Sequence, residues 1–400
     1  MARVRTGLER LLDSPERLAT LRDARVGLLV NPTSVTAELD HAIDAMVGRD
    51  VEVVRLFAPE HGVRSQAQDM ETVEQRRDPV SGLPVVSLYQ EDRDSLKPPA
   101  SVLEDLDILV ADLQDVGARY YTYATTIGLA MDACGEAGVE VWVLDRPNPI
   151  GGVCVEGNTV EPEMRSFVGS QPIANRHGMT LGELARYFDR FGGWECELDV
   201  VQMEGWRRSM WYDETGLPWV LPSPNMPSLS TAAVYPGQCL LEGTLLSEGR
   251  GTTRPFEFVG APYAEARDVT ERLRGYDLPG VGFRSHAFRP MFQKHAGEAC
   301  GGVQLHVRDR RSFRALRTGY AVVQTFARLH PDAFEWREEI YEFVDDRLAF
   351  DLLTGDPDVR HALEEGVSPR DLVESHRKDR ADFEEKRESC LLYRAGSDER

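Results

Sequence analysis

Between Asp107 and Gly152 two apolar runs flank a stretch with helical period. Ile108-Leu109-Val110-Ala111 runs into Asp112-Leu113-Gln114-Asp115, and Val139 to Leu144 runs into Asp145-Arg146-Pro147-Asn148-Pro149. Between them Tyr123, Ile127, Ala130, Met131 and Cys134 recur at helical spacing, which predicts a helix over 120–138. Strand, helix, strand is a βαβ unit. Its right-handed crossover places both acidic strand ends on one edge of a parallel sheet. Open α/β sheets hold their ligands at that edge.

The pattern upstream repeats the theme. An amphipathic helix is expected over 6–22, strands at Val26–Val30, Val51–Phe57 and Pro84–Leu88, and a helix over 39–47. Alternating strands and helices across 20–145 predict a doubly wound, Rossmann-like domain with a parallel sheet. No GxGxxG follows the first strand, so no dinucleotide and no other cofactor is implied. After Gly151-Gly152 the texture changes. Thr180 and Glu183 frame a capping box for a helix over 180–191, and 213–262 reads as long irregular loops rich in Gly, Pro, Ser and Thr. A strand at Gly302–Val307, a helix over 312–329 and an acidic, partly helical tail complete a smaller α+β domain. The expected domains are 1–160 and 161–400.

Composition narrows the classes. With 42% apolar and 8% aromatic residues the chain can bury a sizeable core. A net charge of −21 argues against nucleic acid and anionic membrane as partners. No apolar run is long enough to span a bilayer, and the start of the chain carries no export signal. Six scattered cysteines show no paired spacing, so a reduced, cytoplasmic chain without a metal knuckle is expected.

Several residues carry candidate chemistry. Glu60, in Pro59-Glu60-His61-Gly62 at a strand end, stands beside Phe57. Partial desolvation there lets a carboxyl keep the proton a general acid needs, and capping of the next turn is the plainer role. Asp112, Gln114 and Asp115, with Arg119 and the tyrosines 120, 121 and 123, suit a sugar: polar groups read hydroxyls and rings cover its apolar face. Equally, Asp115 could cap the helix, and one of Tyr120 and Tyr121 should be core. Asp145 and Arg146 can pair with each other in a stiff structural loop. His177 precedes a capped helix and is either a binding residue or an ordinary loop histidine. Glu248 is a second candidate acid, and Arg250 and Arg254 can converge on an anion or form a solvated Arg–Glu loop. A metal site from Asp112, Asp115, His61 and His177 has suitable ligand types but no diagnostic spacing.

These motifs occur in an order that resembles one family. Asn31-Pro32-Thr33, Ala58 to Gly62, Asp112 to Tyr123, Asp145 to Pro149, His177 to Thr180, Pro222 to Pro227, Tyr235-Pro236-Gly237 and Glu242 to Glu257 together resemble the exo-β-N-acetylmuramidase family NamZ. The resemblance implies a Rossmann-like domain, a smaller C-terminal domain and a cleft between them. It also implies a glycoside hydrolase of cell wall recycling that releases N-acetylmuramic acid from the non-reducing end of peptidoglycan fragments. A muropeptide-binding protein without turnover is the alternative. On this resemblance the catalytic glutamate falls on Glu60, with Asp115 or Glu248 for the second role or the substrate's 2-acetamido group as nucleophile. The substrate-binding set is His61, Gln114, Arg119, Tyr123, His177, Asn225, Arg250 and Arg254, with an arginine for the lactyl carboxylate. Two departures from the family pattern, at Arg64-Ser65 and Ala67-Gln68, bear on substrate preference. The expected partner is a muramic-acid-containing saccharide or muropeptide.

Overall fold

The computed structural model describes residues 3–64, 71 and 77–394. Its larger sheet contains β1 (Arg25–Val30), β2 (Glu52–Ala58), β3 (Val85–Ser87), β4 (Ile108–Asp112), β5 (Glu140–Leu144) and β6 (Leu198–Val201). The strands pair in the order β3-β2-β1-β4-β5-β6, all parallel. This is the Rossmann-like architecture expected, and its strand order reverses between β1 and β4. The sixth strand comes from beyond residue 160, where the first domain was expected to end.

Strand alternation sorts the side chains into two layers. From β1 and β4, Val26, Leu28, Val30, Ile108 and Val110 join helices Gly7–Leu12 and Ala42–Val47 in one core. Leu29, Leu109 and Ala111 face the other way, into a core that also holds Ile127, Val259, Val323 and Phe350. The second half of the chain therefore completes the burial of the sheet's other face. That half carries an antiparallel sheet of β7 (Phe258–Ala261), β8 (Val281–Phe288) and β9 (Cys300–Val307), ordered β7-β9-β8 and packed with the helix Ala266–Arg274; it also holds the helix Ala315–Leu329.

Local chemistry explains where elements differ from the pattern. The expected helix over 6–22 is two helices, Gly7–Leu12 and Pro15–Arg22, because Ser14 caps the second and Pro15 starts it. The helix after β4 begins only at Tyr123, with Thr122 as its N-cap; Asp115 does not cap it. Instead Asp115 Oδ2 accepts from Gly117 N at 2.5 Å, bending the chain through Gly117, whose φ is 87°. A Cβ at Gly117 would lie 2.6 Å from Asn148 Oδ1, so only glycine fits. Thr180 and Glu183 form the capping box expected. The stretch 213–262 hides a helix, Leu229–Gln238, whose last turn contains the breakers Pro236 and Gly237.

Arg119 ties the halves together. Its Nη1 donates to Asn158 O and Ile173 O at 2.8 and 3.0 Å, and its Nη2 to Leu353 O and Thr354 O at 3.0 and 2.7 Å. Burial pulls this guanidinium down to about 10.

Candidate active site

β2 ends in the turn Pro59-Glu60-His61-Gly62, closed by Gly62 N donating to Pro59 O at 2.9 Å. His61 and Gly62 both have positive φ, 70° and 81°. A left-handed histidine is a strained conformation of the kind found at working sites. The turn aims Glu60, 6% exposed, into a largely enclosed pocket. Thr122 Oγ1 donates to Glu60 Oε2 at 2.8 Å, so the loops after β2 and β4 meet at this carboxyl.

One wall is aromatic. Tyr121 packs edge-on against Tyr123 and Tyr235 with centroids at 5.0 and 5.7 Å, and Tyr235 against Phe256 at 4.8 Å. Tyr120 borders the pocket but is also core, as expected of one of the pair: it is buried in the main apolar cluster and its hydroxyl donates to Pro236 O. Tyr123 Oη donates to Pro222 O at 2.5 Å. Burial pushes the Tyr121 and Tyr235 phenols well above their ordinary value, which keeps both neutral and able to donate.

Another wall is charged. Arg250 Nη2 donates to Glu242 Oε1 at 2.8 Å and Nη1 to Glu248 Oε1 at 3.0 Å, while its guanidinium lies 4.8 Å from the Phe256 ring centre. Tyr341 Oη holds the other Glu242 oxygen at 2.7 Å. Lys294 Nζ holds the other Glu248 oxygen at 3.0 Å. Burial alone would raise Glu248, but Lys294 and Arg250 override it and bring the carboxyl down to about 2. Glu248 is therefore a fixed countercharge at neutral pH.

The expected site residues separate into two groups. Glu60, His61, Tyr123, Asn225 and Arg250 line the pocket. Gln114, Asp115, Arg119, His177, Glu248 and Arg254 are not among its lining residues. Gln114 Nε2 bonds Asp115 O and Pro147 O at 2.7 and 2.8 Å. His177 is fully buried, with Nε2 3.3 Å from Asp115 Oδ2 and Nδ1 accepting from Met179 N. The Arg254 side chain is 49% exposed, 3.4 Å from Glu257. Arg146 does not pair with Asp145; it forks onto Asp112 at 2.5 and 2.8 Å. Asp145 takes hydrogen bonds from Thr180, Gly182 and Tyr393. Among the described residues no three His, Cys, Asp or Glu side chains are grouped as metal ligands. Thr122, Ser223, Glu242, Tyr341 and Glu342 line the pocket without having been singled out. Of these, Thr122, Ser223 and Glu242 sit inside the recognised motifs, whereas nothing in the local pattern marks Tyr341-Glu342. Ser65, Ala67 and Gln68, where the sequence departs from the family pattern, lie outside the described residues.

Comparison with known proteins decides the kinship. Two adjacent family models match, the N-terminal model of exo-β-N-acetylmuramidase NamZ over residues 26–230 and the C-terminal model over 233–393. The chain belongs to the NamZ family. The peptidoglycan β-N-acetylmuramidase NamZ of Bacillus subtilis (strain 168) is 43% identical over 98% of this chain and 92% of its own length. A DUF1343 family crystal structure from Bacteroides fragilis shares the fold with a TM-score of 0.86 at 35% identity, covering 98% of this chain and all of that one. A second from the same organism has a TM-score of 0.75 at 28% identity, covering 99% of this chain and all of that one. β6 falls within the residues matched by the N-terminal model, and Arg250 and Glu342 fall within those matched by the C-terminal model.

Proposed function

We propose that this NamZ-family chain is an exo-β-N-acetylmuramidase that releases N-acetylmuramic acid from the non-reducing end of peptidoglycan fragments, with Glu60 as its general acid. The observation that carries the reading is Glu60 itself. It is a buried strand-end carboxyl, held by Thr122, in a pocket walled by tyrosines, in a chain 43% identical to a peptidoglycan β-N-acetylmuramidase. The Thr122 hydroxyl fixes one carboxyl oxygen and leaves the other to protonate the glycosidic oxygen as the C1–O bond breaks. The aromatic wall receives the apolar face of the sugar.

Arg250 is the arginine of the expected pair that faces the sugar, and we assign it the lactyl carboxylate. Its charge is shared with Glu242 and Glu248, so the carboxylate enters an existing network and does not meet a bare cation. The six free cysteines support a reducing compartment, and we place the protein in the cytoplasm, acting on imported fragments. The deciding test is hydrolysis of 4-nitrophenyl β-N-acetylmuraminide beside the matching glucosaminide. Cleavage of the first and little of the second is expected. Equal rates would remove the lactyl contact, and binding of the muraminide without release of product would leave a sugar-binding protein.

A further inference from the structure

The turn from Tyr341 to Val344 breaks a local rule. Tyr341 N donates to Val344 O and Val344 N to Tyr341 O, both at 3.0 Å, so two residues make the whole turn. Both have positive φ, 47° at Glu342 and 67° at Phe343. A two-residue turn with both residues left-handed favours Asn-Gly, because bulkier L side chains clash with their own backbone there. Here glutamate and phenylalanine fill it. Strain of this kind persists only where the surroundings override it, and it gathers at working sites.

The surroundings account for each side chain. Phe343 packs on Tyr89 and Phe167, with ring centres at 5.4 and 6.5 Å. Glu342 is 6% exposed and lines the same pocket as Glu60, with Oε2 accepting from Tyr89 Oη at 2.9 Å. The other carboxylate of this wall, Glu242, is engaged by Arg250 and Tyr341. Glu60 follows a strand of the first sheet and Glu342 lies nearly three hundred residues later, yet the fold delivers both to one cavity. Simple glycoside hydrolysis needs two carboxyl groups flanking the scissile bond.

We propose that Glu342 is the second catalytic carboxylate of the pocket, the base that activates the attacking water. The inference rests on the exo-muramidase reading above. As the water oxygen bonds to C1, its proton passes to Glu342. As the C1–O bond breaks, the proton of Glu60 passes to the leaving oxygen. The sum is one water consumed and two hydroxyl-bearing products, and solvent returns the proton from Glu342 to Glu60.

The test pairs three variants with the muraminide substrate. Glu342→Gln should lose about 10²–10⁴-fold in kcat with little change in KM, and the acid limb of its kcat–pH profile should disappear. Glu342→Ala should regain turnover with added azide and release the α-configured muramyl azide. Glu342→Asn places a residue suited to the left-handed turn, so its Tm should hold or rise while kcat falls. Wild-type kcat and pH profile in Glu342→Gln would overturn the proposal. So would activity lost only in proportion to Tm, or no azide product. If Glu60→Gln is inactive while Glu342→Gln is not, only this inference falls; if both are fully active, the pocket is not the active site.

Discussion

Two places along the strand-end edge of the large sheet do opposite things. The loops after β1 and β4 flank the point where strand order reverses, the usual ligand crevice of such sheets. Here that crevice is closed by the chain's own charges. Arg146 forks onto the fully buried Asp112 and reaches Val35 O at 2.9 Å, and Thr33 Oγ1 accepts from Gln114 N at 3.2 Å. One strand over, the loop after β2 sends Glu60 into the enclosed pocket that Thr122 and the tyrosines after β4 help to line. Strand order identifies the edge at which a ligand binds. Which loop along it stays open depends on whether the side chains there have already satisfied one another.

The contrast can be broken most forcefully at its open side. Glu60→Gln keeps the shape of the side chain but cannot deliver a proton. Turnover of a natural disaccharide should drop about 10²–10⁴-fold with Tm unchanged. A good leaving group such as 4-nitrophenol needs less protonation and should suffer less. Disaccharide rates equal to wild type would remove Glu60 from the mechanism.

At the closed side the effect should appear in stability. Asp112→Ala strands the Arg146 guanidinium in the interior, and removing one partner of a buried pair costs roughly 3–5 kcal/mol. Urea unfolding should show that loss, with KM for the muraminide near wild type in protein that remains folded. A mutant of normal stability and failed sugar binding would mean that the crevice is a ligand site after all.

The end of β5 gives the smallest effect and a pH signature. Burial, then the neighbouring Glu183, raises Asp145 from the usual carboxylate range to about 7, against the hydrogen bonds from Tyr393, Gly182 and Thr180. An acid with a raised folded-state value binds its proton more tightly when native. Its contribution to stability is complete below about pH 4 and falls away as pH rises towards 7. Asp145→Asn removes that slope. Urea midpoints at pH 4.5 and 7.5 should show the variant gaining on wild type at the higher pH, by on the order of 1–4 kcal/mol at most. A constant gap across that range would show that Asp145 is ionised throughout.

Much of this was legible in the sequence. Short continuous apolar runs alternating with helical stretches pointed to the parallel sheet, and a strand-end Pro-Glu-His-Gly turn pointed to Glu60. The rest depended on partners far along the chain. Arg119 has the same letter whether it grips a sugar or four carbonyls, and two of those carbonyls belong to Leu353 and Thr354. Asp115 looks like a helix cap until Gly117 bends the chain away before the helix begins. Glu342 escaped notice because local rules assign its left-handed turn to asparagine and glycine.

Arg119 also sets an order of events during synthesis. A chain emerging from the ribosome completes β1 to β6 long before residues 353 and 354 exist, since domains fold N-terminal part first. Until those carbonyls arrive, the Arg119 guanidinium lacks half of its acceptors, and the Tyr341–Val344 turn has not yet been made. A nascent chain thus displays Glu60 without the wall that faces it. The pocket is complete only when its late-sequence lining, Tyr341 and Glu342, joins the residues that follow β2 and β4.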